Sequence, residues 1–111
     1  MNSLHSLPAA QKRSGRVSFN RNELRTLLNE YSQRVASGEW RDYAIDFKRD
    51  RAIFSVFRHT AEHPLYSIEK IPGKGGGTWR LLRGPERLKH GHELTDVLAA
   101  IERRPRLFAV T

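Results

Sequence analysis

The stretch Tyr43-Ala44-Ile45-Asp46-Phe47-Lys48-Arg49-Asp50-Arg51-Ala52-Ile53-Phe54-Ser55-Val56-Phe57-Arg58 decides the fold. Tyr43, Ile45 and Phe47 alternate with Ala44, Asp46 and Lys48, the period of two that marks a half-buried strand. The polar Arg49-Asp50-Arg51 turns the chain, and Ala52 to Arg58 resumes in β-forming residues. Ile53, Ser55 and Phe57 fall on one side of this second strand and Phe54 and Val56 on the other, the pattern of a central strand covered on both faces. A hairpin is therefore expected here.

Working outward toward the C-terminus, the His59 to Pro64 loop leads to a third strand, Leu65 to Ile71. Pro72 and Gly73-Lys74-Gly75-Gly76-Gly77 break regular structure before a fourth strand, Thr78 to Arg83, with Trp79 and Leu81 on one face. Gly84-Pro85 turns again, and Glu86 to Lys89 suits a short fifth strand. Leu94, Val97, Leu98 and Ile101 then form a helical apolar stripe, with Arg103 and Arg104 complementing the helix dipole and Pro105 ending the element. Leu107 to Val110 fits either a last short strand or an extended tail.

Toward the N-terminus, Asn20 and Glu23 have the spacing of a capping box, and Phe19 and Leu24 that of a hydrophobic staple. Leu24, Leu27, Leu28, Tyr31 and Val35 follow on one helical face, Arg21, Arg25, Asn29, Gln33 and Arg34 fall elsewhere, and Gly38 is the C-terminal stop. Residues 1–17 lack periodicity and read as a flexible basic tail carrying Lys12, Arg13 and Arg16. Residues 18–111 are expected to form a single α+β domain, an antiparallel sheet of four to five strands flanked by an N-terminal and a C-terminal helix, with both helical stripes on one sheet face.

Composition narrows the function. The chain has 111 residues, no cysteine and a formal charge of +8, with fifteen of its twenty cations Arg. Disulfides and thiolate metal sites are excluded, and a cytoplasmic address is expected because no apolar run resembles a signal peptide or a membrane span. An Arg-rich cation excess favours anionic partners, of which RNA or DNA is the first to consider.

Gly38-Glu39-Trp40-Arg41-Asp42-Tyr43-Ala44-Ile45-Asp46-Phe47, then Ser55-Val56-Phe57-Arg58, then Pro64-Leu65-Tyr66-Ser67-Ile68-Glu69-Lys70, resemble a small family of bacterial proteins, domain of unknown function number 2794. The resemblance extends from about Phe19 to Ile101 and includes Leu88-Lys89-His90-Gly91-His92-Glu93-Leu94. It implies a cytoplasmic alphaproteobacterial protein and brings no activity or cofactor. The loop after Ile71, with Pro72 and its glycines, departs from the basic segment that the resemblance implies there.

Four groups of residues invite chemistry. His59-Thr60-Ala61-Glu62-His63 spells a zinc-peptidase pattern, but a short loop closed by Pro64 does not suit the helix that would present both imidazoles, and no metal is expected. Gly73 to Thr78 has Lys74 among the glycines rather than after them, so it reads as a hairpin loop rather than a phosphate loop. Glu39, Arg41, Asp42 and Asp46 beside Trp40 read as a corner fixed by hydrogen bonds and ion pairs, and His90 and His92 as capping groups for the second helix. No catalytic residue or cofactor is expected.

The remaining expectation is a non-enzymatic binding or regulatory domain that does not enter membranes. Lys12, Arg13, Arg16, Arg58, Arg80 and Arg83 are its candidate nucleic-acid contacts, with Phe54, Val56, Arg58, Arg80 and Leu82 forming an aromatic and cationic platform on the sheet face away from the helices. The alternative is a protein-interaction or homodimerising module that uses the exposed sheet face or edge.

Overall fold

The computed structural model describes residues 15–59 and 63–101. Its elements are α1 (Arg21–Ala36), β1 (Asp42–Phe47), β2 (Ala52–Phe57), β3 (Tyr66–Ile71), a 3-10 turn (Lys74–Gly76), β4 (Thr78–Arg83), β5 (Glu86–Gly91) and α2 (Leu94–Ala99). All strands are antiparallel to their neighbours and lie in chain order, β1-β2-β3-β4-β5. The α+β arrangement read from the sequence is the one observed, with the fifth strand running on to Gly91.

The start of α1 is fixed by its own residues. The Asn20 side chain accepts from the Glu23 amide and the Glu23 carboxylate accepts from the Asn20 amide, each at 2.8 Å, completing the capping box. Lys70 on β3 donates to the same Glu23 carboxylate at 2.7 Å and to the Ser18 carbonyl at 2.9 Å, which ties this helix end to the sheet. At the other end Gly38 has φ +81°, and the Gly38 and Glu39 amides bond back to Val35 and Arg34 in a Schellman closure.

The core lies between the helices and one sheet face. Ala52, Phe54 and Val56 of β2, Tyr66 and Ile68 of β3, and Trp79 and Leu81 of β4 are buried against Leu27 of α1 and Leu94, Val97 and Leu98 of α2. Phe19 stacks on Trp79 and meets Phe47 edge-on, while Trp40, Tyr31, Tyr43 and Phe54 form a second aromatic run. Burying Phe54, fully enclosed, contributes about 2–3 kcal/mol through its apolar surface.

Several sequence expectations change. Val35 is 40% exposed while Arg34, one position earlier, is 3% exposed, because the chain's return through Trp40 covers the Arg34 side of the helix. The anticipated tail is anchored at its last two positions, where the Val17 amide donates to the Lys48 carbonyl and the Arg16 guanidinium to the Phe47 carbonyl. Residues 1–14, including Lys12 and Arg13, and residues 102–111, including Arg103, Arg104 and the Leu107 to Val110 segment, lie outside the described residues. The strand β2 is buried on one face only, since Ile53, Ser55 and Phe57 are half-buried and neither helix packs over them.

The glycine loop closes the β3–β4 hairpin. Gly77 has φ +82° and a Cβ there would collide with the Ile71 carbonyl oxygen, so this position admits only glycine without a backbone shift.

Candidate interaction surface

Pairing register identifies what lies on the sheet face opposite the helices. One cross-strand row runs Asp46, Ile53, Glu69, Arg80, His90, and the next runs Ala44, Ser55, Ser67, Leu82, Arg87. These positions alternate with the buried core residues on every strand. Ile53, Phe57, Ile71 and Leu82 are half-buried among polar neighbours, and Asp42, Asp46, Arg87 and His90 are exposed along the two edges.

At the centre of this open face sits a buried carboxylate. Glu69 is 8% exposed and accepts from Arg80 Nη2 at 2.7 Å, Arg80 Nε at 3.1 Å and Arg51 Nε at 3.2 Å. Two guanidinium groups thus satisfy its lone pairs and offset its charge, the condition under which a carboxylate is tolerated away from water. Arg51 and Arg80 hold Glu69 at the centre of the face, while Asp42 and Asp46 lie at its β1 edge and Arg87 at its β5 edge.

This placement overturns the aromatic platform expected from the sequence. Phe54 and Val56 are fully buried on the helix side, and the face that carries Arg80 and Leu82 presents Ile53, Ser55 and Phe57 instead. A residue-by-residue alternation cannot say which of two mixed faces the helices will cover. Arg58 is exposed just beyond the end of β2, and Arg83, bonded to Glu86 at 3.4 Å, lies at the same end of the sheet on the helix side of β4. Arg16 is held at the opposite end, at the β1–β2 turn, and Arg80 is committed to Glu69. The candidate cations among the described residues are therefore divided between both ends and both faces.

The Arg16 contact gathers a different basic group. It brings Arg16 beside the exposed Lys48 and Arg49 at the β1–β2 turn, two cations that the sequence presented only as turn residues.

The corner after α1 is built from ion pairs centred on Arg34, in which Glu39, of the residues expected to fix it, takes part. Arg34 donates to Glu30 at 2.7 Å and to Glu39 at 2.6 Å, lies over the Trp40 ring at 5.4 Å, and reaches the Ile101 carbonyl at 3.4 Å. Burial works against its charged form, yet the hydrogen bonds it donates to Glu30 and Glu39 outweigh that and hold the guanidinium above its ordinary pKa. Ser37 also donates to Glu39, so this carboxylate is engaged and not aimed at a reacting group. A shallow cleft of about 350 Å³ between α1 and α2 is lined by Thr26, Asn29, Gln33 and Thr95, together with the occupied Arg34–Glu30 pair.

The histidines take other roles than capping. The N-cap of α2 is Glu93, which makes no side-chain capping bond, while His92 Nδ1 lies 3.1 Å from the Gly77 carbonyl and His90 pairs with Arg80 on the open face. His59 and His63 are exposed and residues 60–62 lie outside the described residues. Among the described residues no group of three or more His, Asp or Glu is placed to hold a metal ion, and no helix is long and apolar enough to cross a membrane.

Fold and surface together define a small α+β domain with one sheet face sealed by helices and the other, among the described residues, left open. The chain belongs to the family described as Protein of unknown function (DUF2794), whose pattern matches residues 17–98. The match spans every strand and helix but the last residue of α2, in agreement with the resemblance read from the sequence. No curated protein and no solved structure matches the chain.

Proposed function

We propose that the chain is a non-enzymatic protein-interaction module that works through the open face of its sheet. The observation that supports this is the character of that face: half-buried Ile53, Phe57, Ile71 and Leu82 surround the ion-paired Arg51–Glu69–Arg80 cluster. A nucleic-acid platform needs a surplus of cations, whereas mixed apolar and paired polar groups suit a protein surface. The test is substitution of Leu82 by Arg, which leaves the buried face untouched. Self-association, or capture of a protein partner, is expected to fall at least tenfold; unchanged association would remove the open face from the function.

A second reading rests on the basic corner at Arg16, Lys48 and Arg49, which Lys12 and Arg13 extend in sequence. Nucleic acid bound there would respond to Lys48→Glu and Arg49→Glu, and its affinity would fall steeply as salt rises. Binding to labelled RNA and DNA at low ionic strength, measured by fluorescence anisotropy, tests it; no binding, or a flat salt dependence, rejects it.

A further inference from the structure

We infer that the occupant of the open face is a second copy of this chain, docked face to face about a two-fold axis parallel to the strands. This rests on the reading of that face as an interaction surface. An axis running along β3 places β1 of each copy over β5 of the other and superposes each cross-strand row on itself. In the row Ala44, Ser55, Ser67, Leu82, Arg87, the Arg87 of one copy then falls level with Ala44 of the other, between the carboxylates of Asp42 and Asp46.

Facing sheets cross at about 30°, which shifts strands about 10 Å from the axis by about 5 Å, or one to two residues, and Arg87 stays within that acidic window. The charges choose the axis. A two-fold perpendicular to the strands would set β1 on β1, bringing Asp42 and Asp46 against their own copies and Arg87 against Arg87.

The centre of the face suits the same arrangement. Ser67 lies on the axis with Ser55 beside it, so small side chains meet where the two sheets come closest, and Ile53 and Leu82 flank them. Glu69 also faces its own copy, but Arg51 and Arg80 already offset each carboxylate. Five strands about 4.8 Å apart and six residues long at about 3.3 Å each give a face of about 500 Å² in projection, at the small end for a specific contact, so micromolar dissociation is expected.

Charge exchange between two variants tests this. The double variant Asp42→Lys with Asp46→Lys sets like charges against Arg87, and Arg87→Glu sets like charges against Asp42 and Asp46; each alone is expected to weaken dimerisation about tenfold in sedimentation velocity. Mixing them restores opposite charges on both sides, so a heterodimer at wild-type affinity supports the proposal and two persistent monomers overturn it. Because the chain has no cysteine, Ser67→Cys supplies a single thiol. Facing sheets about 10 Å apart exceed the reach of a disulfide, so a short bismaleimide is used, with Ser32→Cys on the exposed side of α1 as control.

Cross-linking through Ser67→Cys and not Ser32→Cys supports the axis; the reverse places the dimer on another surface and overturns it. A wild-type monomer at about 100 µM, well above the micromolar range expected, also overturns it. In that case capture of a different protein that is lost in Leu82→Arg would leave the interaction reading standing, and no capture would remove both.

Discussion

Arg34 and Glu69 are the two buried charged side chains among the described residues, and each is a single ion held between two of opposite sign. Their surroundings differ. Arg34 is enclosed by α1, the Trp40 ring and the backbone at Ile101, and its carboxylate partners come from fixed positions on and just after one helix. Glu69 is covered instead by the long side chains of Arg51 and Arg80, each 30% exposed, with neither α1 nor α2 above them. The first cluster welds the end of α1 to the corner leading into β1, while the second forms part of a surface. A buried charge thus has two meanings here, and what lies over its partners separates them.

The largest expected effect follows from Arg34→Ala, which removes the cation held between Glu30 and Glu39 and empties the space under Trp40. It should cost about 3 kcal/mol in urea unfolding, and a loss below about 1 kcal/mol would break the contrast. Glu69→Ala leaves two guanidinium groups that can turn to water, so about 1–2 kcal/mol is expected in the same measurement. A cost equal to that of Arg34→Ala would make both clusters structural. Asn20→Ala removes the N-terminal cap and should cost about 1 kcal/mol. Its effect is expected to add to that of Arg34→Ala in a double-mutant cycle, since the two residues hold opposite ends of α1.

The smallest effect belongs to Tyr31. Its hydroxyl donates to the Arg41 carbonyl at 2.7 Å, and desolvation, with lesser contributions from Asp42 and Tyr43, raises its pKa above the ordinary 10.0. Because the folded state holds this proton more tightly, the stability it contributes is complete below pH 10 and is lost as pH rises through the higher folded value. Tyr31→Phe should cost about 0.5–1 kcal/mol at neutral pH and flatten the loss of stability on the alkaline side. An unchanged alkaline profile would take Tyr31 out of the Arg34 corner.

Much of the fold was legible because it is written locally. The Asn20–Glu23 box, the stop at Gly38 and the alternation through Tyr43 to Phe57 each need only a few neighbouring residues, and their elements lie where expected. The surface was less legible. The partners of Arg51 and Arg80 meet at Glu69 only through strand pairing, and the sequence held no sign of which face of β2 the helices would choose. Aromatic residues occur on both sides of β2, so alternation alone does not tell Phe54 from Phe57, and the covering helices resolve the ambiguity by burying Phe54. Arg34 was read as outside the apolar stripe because helical periodicity registers charge but not the Trp40 ring that returns over it.

The strict chain order of the sheet also bears on how the protein is made. Every strand pairs with its neighbour in sequence, so each hairpin closes a short loop and β1 through β5 can assemble in the order in which they leave the ribosome. The helix α2, the last described element, supplies Leu94, Val97 and Leu98 over the β4–β5 end of the sheet. Until it emerges, Trp79 and Leu81 lack that cover, and the nascent sheet is sticky on its helix side. Translation therefore leaves a brief interval of exposure that closes only when the last helix docks.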